Sequence, residues 1–355
     1  MIEDLIIRFG EPAALCAAGA VTGVVFGIAA QHSRFCLRAA TAEFAAKKLG
    51  PSVSIWLIAF SAAVAITQWM IVFDVFDSSQ ARQIAATGSL SGAIIGGLMF
   101  GVGMILARGC ASRLLVLSAT GNLRALVSGL ILTLVAQMAL TGYLTPIREK
   151  IAGLWTIPGG PQRDLLEQFG LGHELVAVIF TGLLIFGLIL ARLRGVQVSR
   201  IVASAIVGVA VSLGWLLTYL VQQNSFEVVS ITSVTFTGPS ADTLMTLINS
   251  RDVILGFSIG LVPGVFVGSG MAAVVSKEFK IQRFEADTPM ERYLVGAILM
   301  GFGSMLAGGC AVGAGVTGGS IMALTAWVAV LFMWIGAVAT SMILHINPNT
   351  MPRTA

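Results

Sequence analysis

Apolar windows close to 20 residues long recur along almost the whole chain, and this pattern leaves few folds open. In hydrocarbon every backbone polar group must be paired within the protein, so a span is a helix or part of a closed barrel. A barrel reads as short segments of alternating hydrophobicity. The runs here are long and unbroken, so the expected fold is an all-α polytopic membrane protein. Composition agrees: only 11% of the 355 residues are charged, less than half the roughly 25% of an ordinary soluble domain. A soluble enzyme, a disordered chain and a coiled coil are excluded on the same ground.

Nine spans are expected, near residues 12–31, 53–76, 90–106, 123–143, 174–193, 201–221, 253–267, 292–306 and 321–346. The third, seventh and eighth are short, which is a sign of discontinuous helices. With the N-terminus outside, the inner segments hold 15 of the Lys and Arg residues, among them Arg34, Arg108, Arg113, Arg124, Lys277 and Arg353, and the outer segments hold 6. The split follows the positive-inside rule, so the C-terminus is expected in the cytoplasm. The opening Met-Ile-Glu-Asp has no basic stretch, and no cleaved signal peptide is expected.

A repeat is built around cysteine. Residues 96–111 and 296–311 match at 8 of 16 positions, and both end Gly-Cys-Ala, at Gly109-Cys110-Ala111 and Gly309-Cys310-Ala311. One copy lies in an odd span and the other in an even span, so they cross the bilayer in opposite senses. This predicts two pseudo-symmetric inverted repeats, near 12–143 and 253–346, joined by a connecting region at 144–252 in a single membrane domain. A weaker echo relates Gly19, Gly23 and Gly27 to Gly256, Gly260 and Gly264. Glycine at four-residue spacing is above all a helix-packing device in lipid.

Three cysteines share a setting: Cys36, Cys110 and Cys310 each follow a span and precede a short apolar segment. The segments 37–48, 111–118 and 311–320 are too short to cross a bilayer and fit half-helices. A half-helix N-terminus presents free N–H groups and the positive end of its dipole, so it attracts anions. A neutral thiol placed there is a weak donor and a soft contact, suited to a sulfur-containing ligand. Cys16 lies within the first span and reads as a packing residue. Arg34, Arg38, Arg108 and Arg113 lie near these loops, and Arg108, beside Gly109-Cys110, is the strongest candidate for an anion contact. The second copy has Gly308 at that place, so the two halves are not equivalent.

These motifs resemble the YeeE/YedE family of bacterial membrane proteins, associated with sulfur transport. The likeness rests on Arg34-Phe35-Cys36, Gly109 to Ser112, Gly308 to Cys310, the span count and the chain length. It implies an hourglass-shaped helical permease in the bacterial inner membrane that takes up thiosulfate or a related small sulfur-containing anion. It further implies that the ion meets Cys36, Cys110 and Cys310 in turn, with Gly109, Gly309, Arg34 and Arg108 beside them. A cytosolic sulfur carrier of the TusA-like type would be the partner. The chain departs from the family at Arg108, where glycine is common.

Two other classes stay open. A membrane thiol oxidoreductase or sulfurtransferase would want a paired CxxC or a base beside its nucleophile, and neither is visible. A soft-metal carrier would draw on the cysteines, His32 and methionines such as Met271, Met300 and Met305, which form no tight cluster in sequence. No cofactor, metal site or nucleic-acid partner is expected, and no phosphate-binding loop signals ATP use.

Overall fold

The computed structural model describes residues 6, 8–225, 229–249, 255–283 and 290–344. Residues 253 and 254 of the seventh expected span, 345 and 346 of the ninth, and Arg353 lie outside these. Among the described residues the protein is a bundle of membrane-length helices: α1 (Glu11–Ser33), α2 (Leu37–Ala45), α3 (Pro51–Val72), α4 (Leu90–Leu106), α5 (Ala111–Ala119), α6 (Leu123–Leu140), α7 (His173–Leu193), α8 (Val198–Gln223), α9 (Thr237–Asn249), α10 (Phe257–Val275), α11 (Met290–Leu306), α12 (Ala311–Ser320) and α13 (Leu324–Ile343). Among the described residues eight spans are long and apolar enough to cross a membrane, and nine if α11 and α12 count as one. Among the described residues strand is confined to two-residue pieces, Gly88–Ser89 against Thr156–Ile157.

The short third and eighth spans are halves of broken ones. At about 1.5 Å per residue, the 17 residues of α4 reach only about 25 Å, short of a bilayer core. α5 completes that span, as α2 continues α1, while α11 and α12 meet at 40°. The seventh span has a different cause. It is a full helix, α10, of 19 residues, with Pro263 inside it and Ser269 and Gly270 near its end. Those residues interrupt the apolar run without ending the helix.

Glycine lets the rods touch main chain to main chain. α1 and α10 lie parallel, Gly19 meeting Phe257 and Gly27 meeting Val265. Gly260 and Gly264 meet Cys16 and Ala20, so the glycine echo belongs to a packing seam, as glycine stripes in lipid usually do, whereas among the described residues Gly256 itself meets no neighbour. α4 and α11 run antiparallel, with Gly96 against Gly303 and Gly103 against Gly296. A Cβ on Gly96 would stand 2.5 Å from the Gly303 carbonyl oxygen and 2.6 Å from the Ala307 nitrogen. Neither atom can yield without parting the helices. Gly96→Leu is thus expected to cost about 3 kcal/mol or more, by the usual scale of overpacking. A sharp fall in the monodisperse peak on size-exclusion chromatography in detergent would register it.

One end of the bundle gathers the basic residues. Arg34 meets Glu278, Arg200 donates to the Ser33 carbonyl, Arg124 meets Tyr293, and the 280–282 chain bonds to Thr120, Gly121 and Leu123. At the opposite end Arg163 donates to Thr325 at the start of α13. There Gln68 ties the Ser320 carbonyl at the end of α12 to His173.

Candidate functional site

Each cysteine caps a half-helix after the same kind of break. The residue two before it adopts the left-handed conformation: Arg34 (φ 58°), Arg108 (φ 54°) and Gly308 (φ 81°). The amide one residue later then bonds five residues back, Phe35 to Ala30, Gly109 to Met104 and Gly309 to Ser304. This is a Schellman ending, which satisfies carbonyls that the helix terminus would otherwise orphan. Glycine pays no steric penalty there, so Gly308 suits the geometry, whereas arginine at 34 and 108 costs about 1–2 kcal/mol. Gly109 and Gly309 let the turn close tightly, and a Cβ on Gly309 would stand 2.7 Å from the Ala314 nitrogen.

Cys36, Cys110 and Cys310 are then the N-caps of α2, α5 and α12. Their exposures of 9%, 1% and 1% place all three inside the protein, away from lipid. All are free thiols. The Cys36 and Cys110 side chains lie within interaction range of each other, and Cys110 Sγ is 3.3 Å from Ser112 Oγ. Cys310 Sγ accepts from the Gly313 amide at 3.4 Å, and the first seven residues of α12 are wound as π-helix. Because α11 runs against α4, its break faces the opposite end of the bundle. α5 and α12 nevertheless touch, so the cysteine half-helices meet in the interior.

The arginines sort differently from the sequence expectation. Arg108 is exposed, with its guanidinium 5.8 Å from the centre of the Tyr293 ring. Arg124 lies over the same ring at 4.8 Å and donates to its hydroxyl at 3.1 Å. Arg34 donates to Glu278 at 3.1 Å. The cations beside the thiols are Arg113, which is buried and within electrostatic range of both Cys36 and Cys110, and Arg38, within range of Cys36. Arg113 reaches Gln31 Oε1 at 3.5 Å, and Gln31 Nε2 donates to Glu278 at 3.0 Å. Arg113 sits three residues after the Cys110 cap, in the first turn of α5. That spacing was the available signal, because residues N-cap and N3 lie on one side of a helix start. Gln31 and Glu278 carried no such mark.

Among the described residues no three His, Cys, Asp or Glu side chains come together as a metal would require. A cleft between α5, α6 and α9 is lined largely by Leu114, Leu126, Leu130, Leu244 and Leu247, a surface unsuited to a dianion.

Buried thiols and a buried arginine at half-helix starts lie within a bundle whose long apolar helices define a multi-pass membrane protein. A family model described as sulphur transport matches residues 32–339, and the chain belongs to that family. It is 24% identical over 359 aligned residues to the thiosulfate transporter TsuA of Escherichia coli (strain K12), covering 95% of this chain and 97% of that protein. It is 26% identical over 333 residues to the thiosulfate transporter TsuA of Spirochaeta thermophila, covering 90% of this chain and 96% of that one.

Proposed function

We propose that this chain is an inner-membrane permease for thiosulfate uptake, with its N-terminus outside and its C-terminus in the cytoplasm. The ion enters at the end where Cys310 opens and leaves by Cys110 and Cys36. The observation that carries this reading is the burial of the Cys36 and Cys110 thiols, each the cap of a half-helix, together with the buried Arg113 in the first turn after Cys110. Thiosulfate has one soft terminal sulfur and three hard oxygens. Thiols suit the sulfur, while N–H groups, helix dipoles and Arg113 offset the charge. Contacts of this kind are weak and sequential, as conduction requires. Arg34 and Arg108, at the basic end, collect the anion at the inner mouth, where a TusA-like sulfur carrier would receive it.

The packing supports two inverted halves, 11–140 and 198–343, with α7 between them. α1 against α10 answers α8 against α3, and α4 against α13 answers α11 against α6. The second half then starts at α8 rather than near residue 253.

Purified protein in proteoliposomes is expected to take up radiolabelled thiosulfate. It should also restore growth of a host that lacks its own uptake, on thiosulfate as sole sulfur source. Uptake no higher than in empty liposomes would sink the reading. The closeness of Cys36 and Cys110 also favours a thiol enzyme, which would turn over substrate in detergent where no compartment exists.

A further inference from the structure

We propose that Thr235 and Thr237, at the start of α9, form a fourth contact point for the transported ion, opposite Cys310. The inference rests on the transport reading above and adds hydroxyl donors for the oxygen end of the ion.

The placement follows from the packing. α2 packs on α13 as α9 packs on α6, and α5 packs on α10 as α12 packs on α3. α9 is thereby the counterpart of α2, the half-helix that Cys36 caps. Cys36 lies 200 residues before Phe236, the same interval as between Cys110 and Cys310. Ser240 N bonds to the Phe236 carbonyl, as Ala40 N bonds to Cys36, so Phe236 stands where the fourth thiol would stand. Its ring packs on Phe26 at 5.0 Å, which turns it into the core. The neighbours on either side of it are threonines.

Three independent features mark this start as a ligand contact. Thr237 is fully buried, and among the described residues its Oγ1 has no hydrogen-bond partner. A buried hydroxyl is normally satisfied, so the orphan calls for a visitor. A Cβ on Gly238 would meet no atom within 4 Å, so open space adjoins the first turn of α9. Thr235 is half-buried between buried Val234 and Phe236, and its Oγ1 sits where a Cβ on Gly313 would be, in the first turn after Cys310.

The chain leading in is non-helical and runs through the interior. The Thr232 carbonyl accepts from Thr218 at 2.7 Å, Ser233 donates to the Val211 carbonyl at 2.6 Å, and Thr317 of α12 donates to the Val234 carbonyl. Irregular backbone at membrane depth persists only inside protein or along a water-filled cavity. The two ends of the route then differ: two thiols lie within interaction range toward the basic end, and toward the other the Thr235 hydroxyl lies against the first turn after Cys310.

Thr235→Val and Thr237→Val exchange hydroxyl for methyl at equal branching. In proteoliposomes of the full chain, thiosulfate uptake is expected to fall at least about tenfold in Thr237→Val, with the melting temperature in detergent unchanged or higher, because the hydroxyl satisfies nothing in the protein. Thr237→Ser is expected to stay within about threefold of the parent, since it keeps the donor. Uptake within about twofold of the parent in both valine variants overturns the inference, and so does a loss of uptake matched by a lower melting temperature. If the valine variants transport normally while Cys310→Ala does not, the transport reading stands and this inference falls. Absence of uptake by the parent chain removes both.

Discussion

Arg113→Gln is expected to lower thiosulfate uptake by about a hundredfold or more, whereas Arg108→Gln changes it by less than about threefold. The contrast follows from burial. Arg113 is 7% exposed and faces two thiols, with Gln31 as its polar support. An arginine at such depth costs several kcal/mol unless protein or ligand holds it, and a dianion arriving beside it gains a charge contact in a medium that screens poorly. Removing one partner of a buried pair typically costs about 3–5 kcal/mol, which is more than two powers of ten. Arg108 is exposed over Tyr293, and charge contacts at exposed positions are worth little. The measurement is the initial uptake rate in proteoliposomes, normalised to reconstituted protein. Equal rates for the parent and Arg113→Gln would refute the role given to that guanidinium.

Cys310→Ala and Cys110→Ala are each expected to abolish growth on thiosulfate, with uptake down at least about tenfold, while Cys16→Ala grows normally. Loss of about 1.4 kcal/mol of contact suffices for each tenfold step. Alanine leaves the half-helix start in place and removes only the soft donor, so protein abundance in the membrane should hold. Cys16 lies in α1, apart from the three breaks, and has no cap to supply. Serine at 310 is the informative companion. It keeps a donor of similar size but hardens it, so it separates hydrogen bonding from affinity for sulfur. Full transport by Cys310→Ala would refute a thiol contact at that place.

Much of this architecture could be read from residue order. Long apolar runs announce helices because lipid offers the backbone no partner, and the Gly-Cys-Ala pairs announce two of the three breaks because glycine before the cap lets the turn close. The arginines were harder. Arg108 and Arg113 look alike on paper, both being basic residues near a cysteine. Their difference arises from a helix start: a residue in the left-handed turn before the cap swings outward, and one in the first turn after it points along the cap. The threonines were hidden for another reason. Their equivalence to the Cys36 segment has no sequence likeness behind it, and only the pairing of helices across the bundle brings it out. The glycine rows of α1 and α10 were legible as a packing device from their spacing, since complementary surfaces of two touching helices can share a motif without sharing an origin.

The glycine seams set a mechanical limit. Where rods meet carbonyl against α-carbon, as Gly96 meets Gly303 and Gly23 meets Gly264, sliding or tilting one past the other would drive backbone into backbone. The long helices therefore act as a fixed chassis, and any opening for cargo has to occur at the hinged stubs: α2, α5, α9 and α12. A traffic cycle of that sort needs displacements the size of a side chain, with no swing of one lobe against its mate.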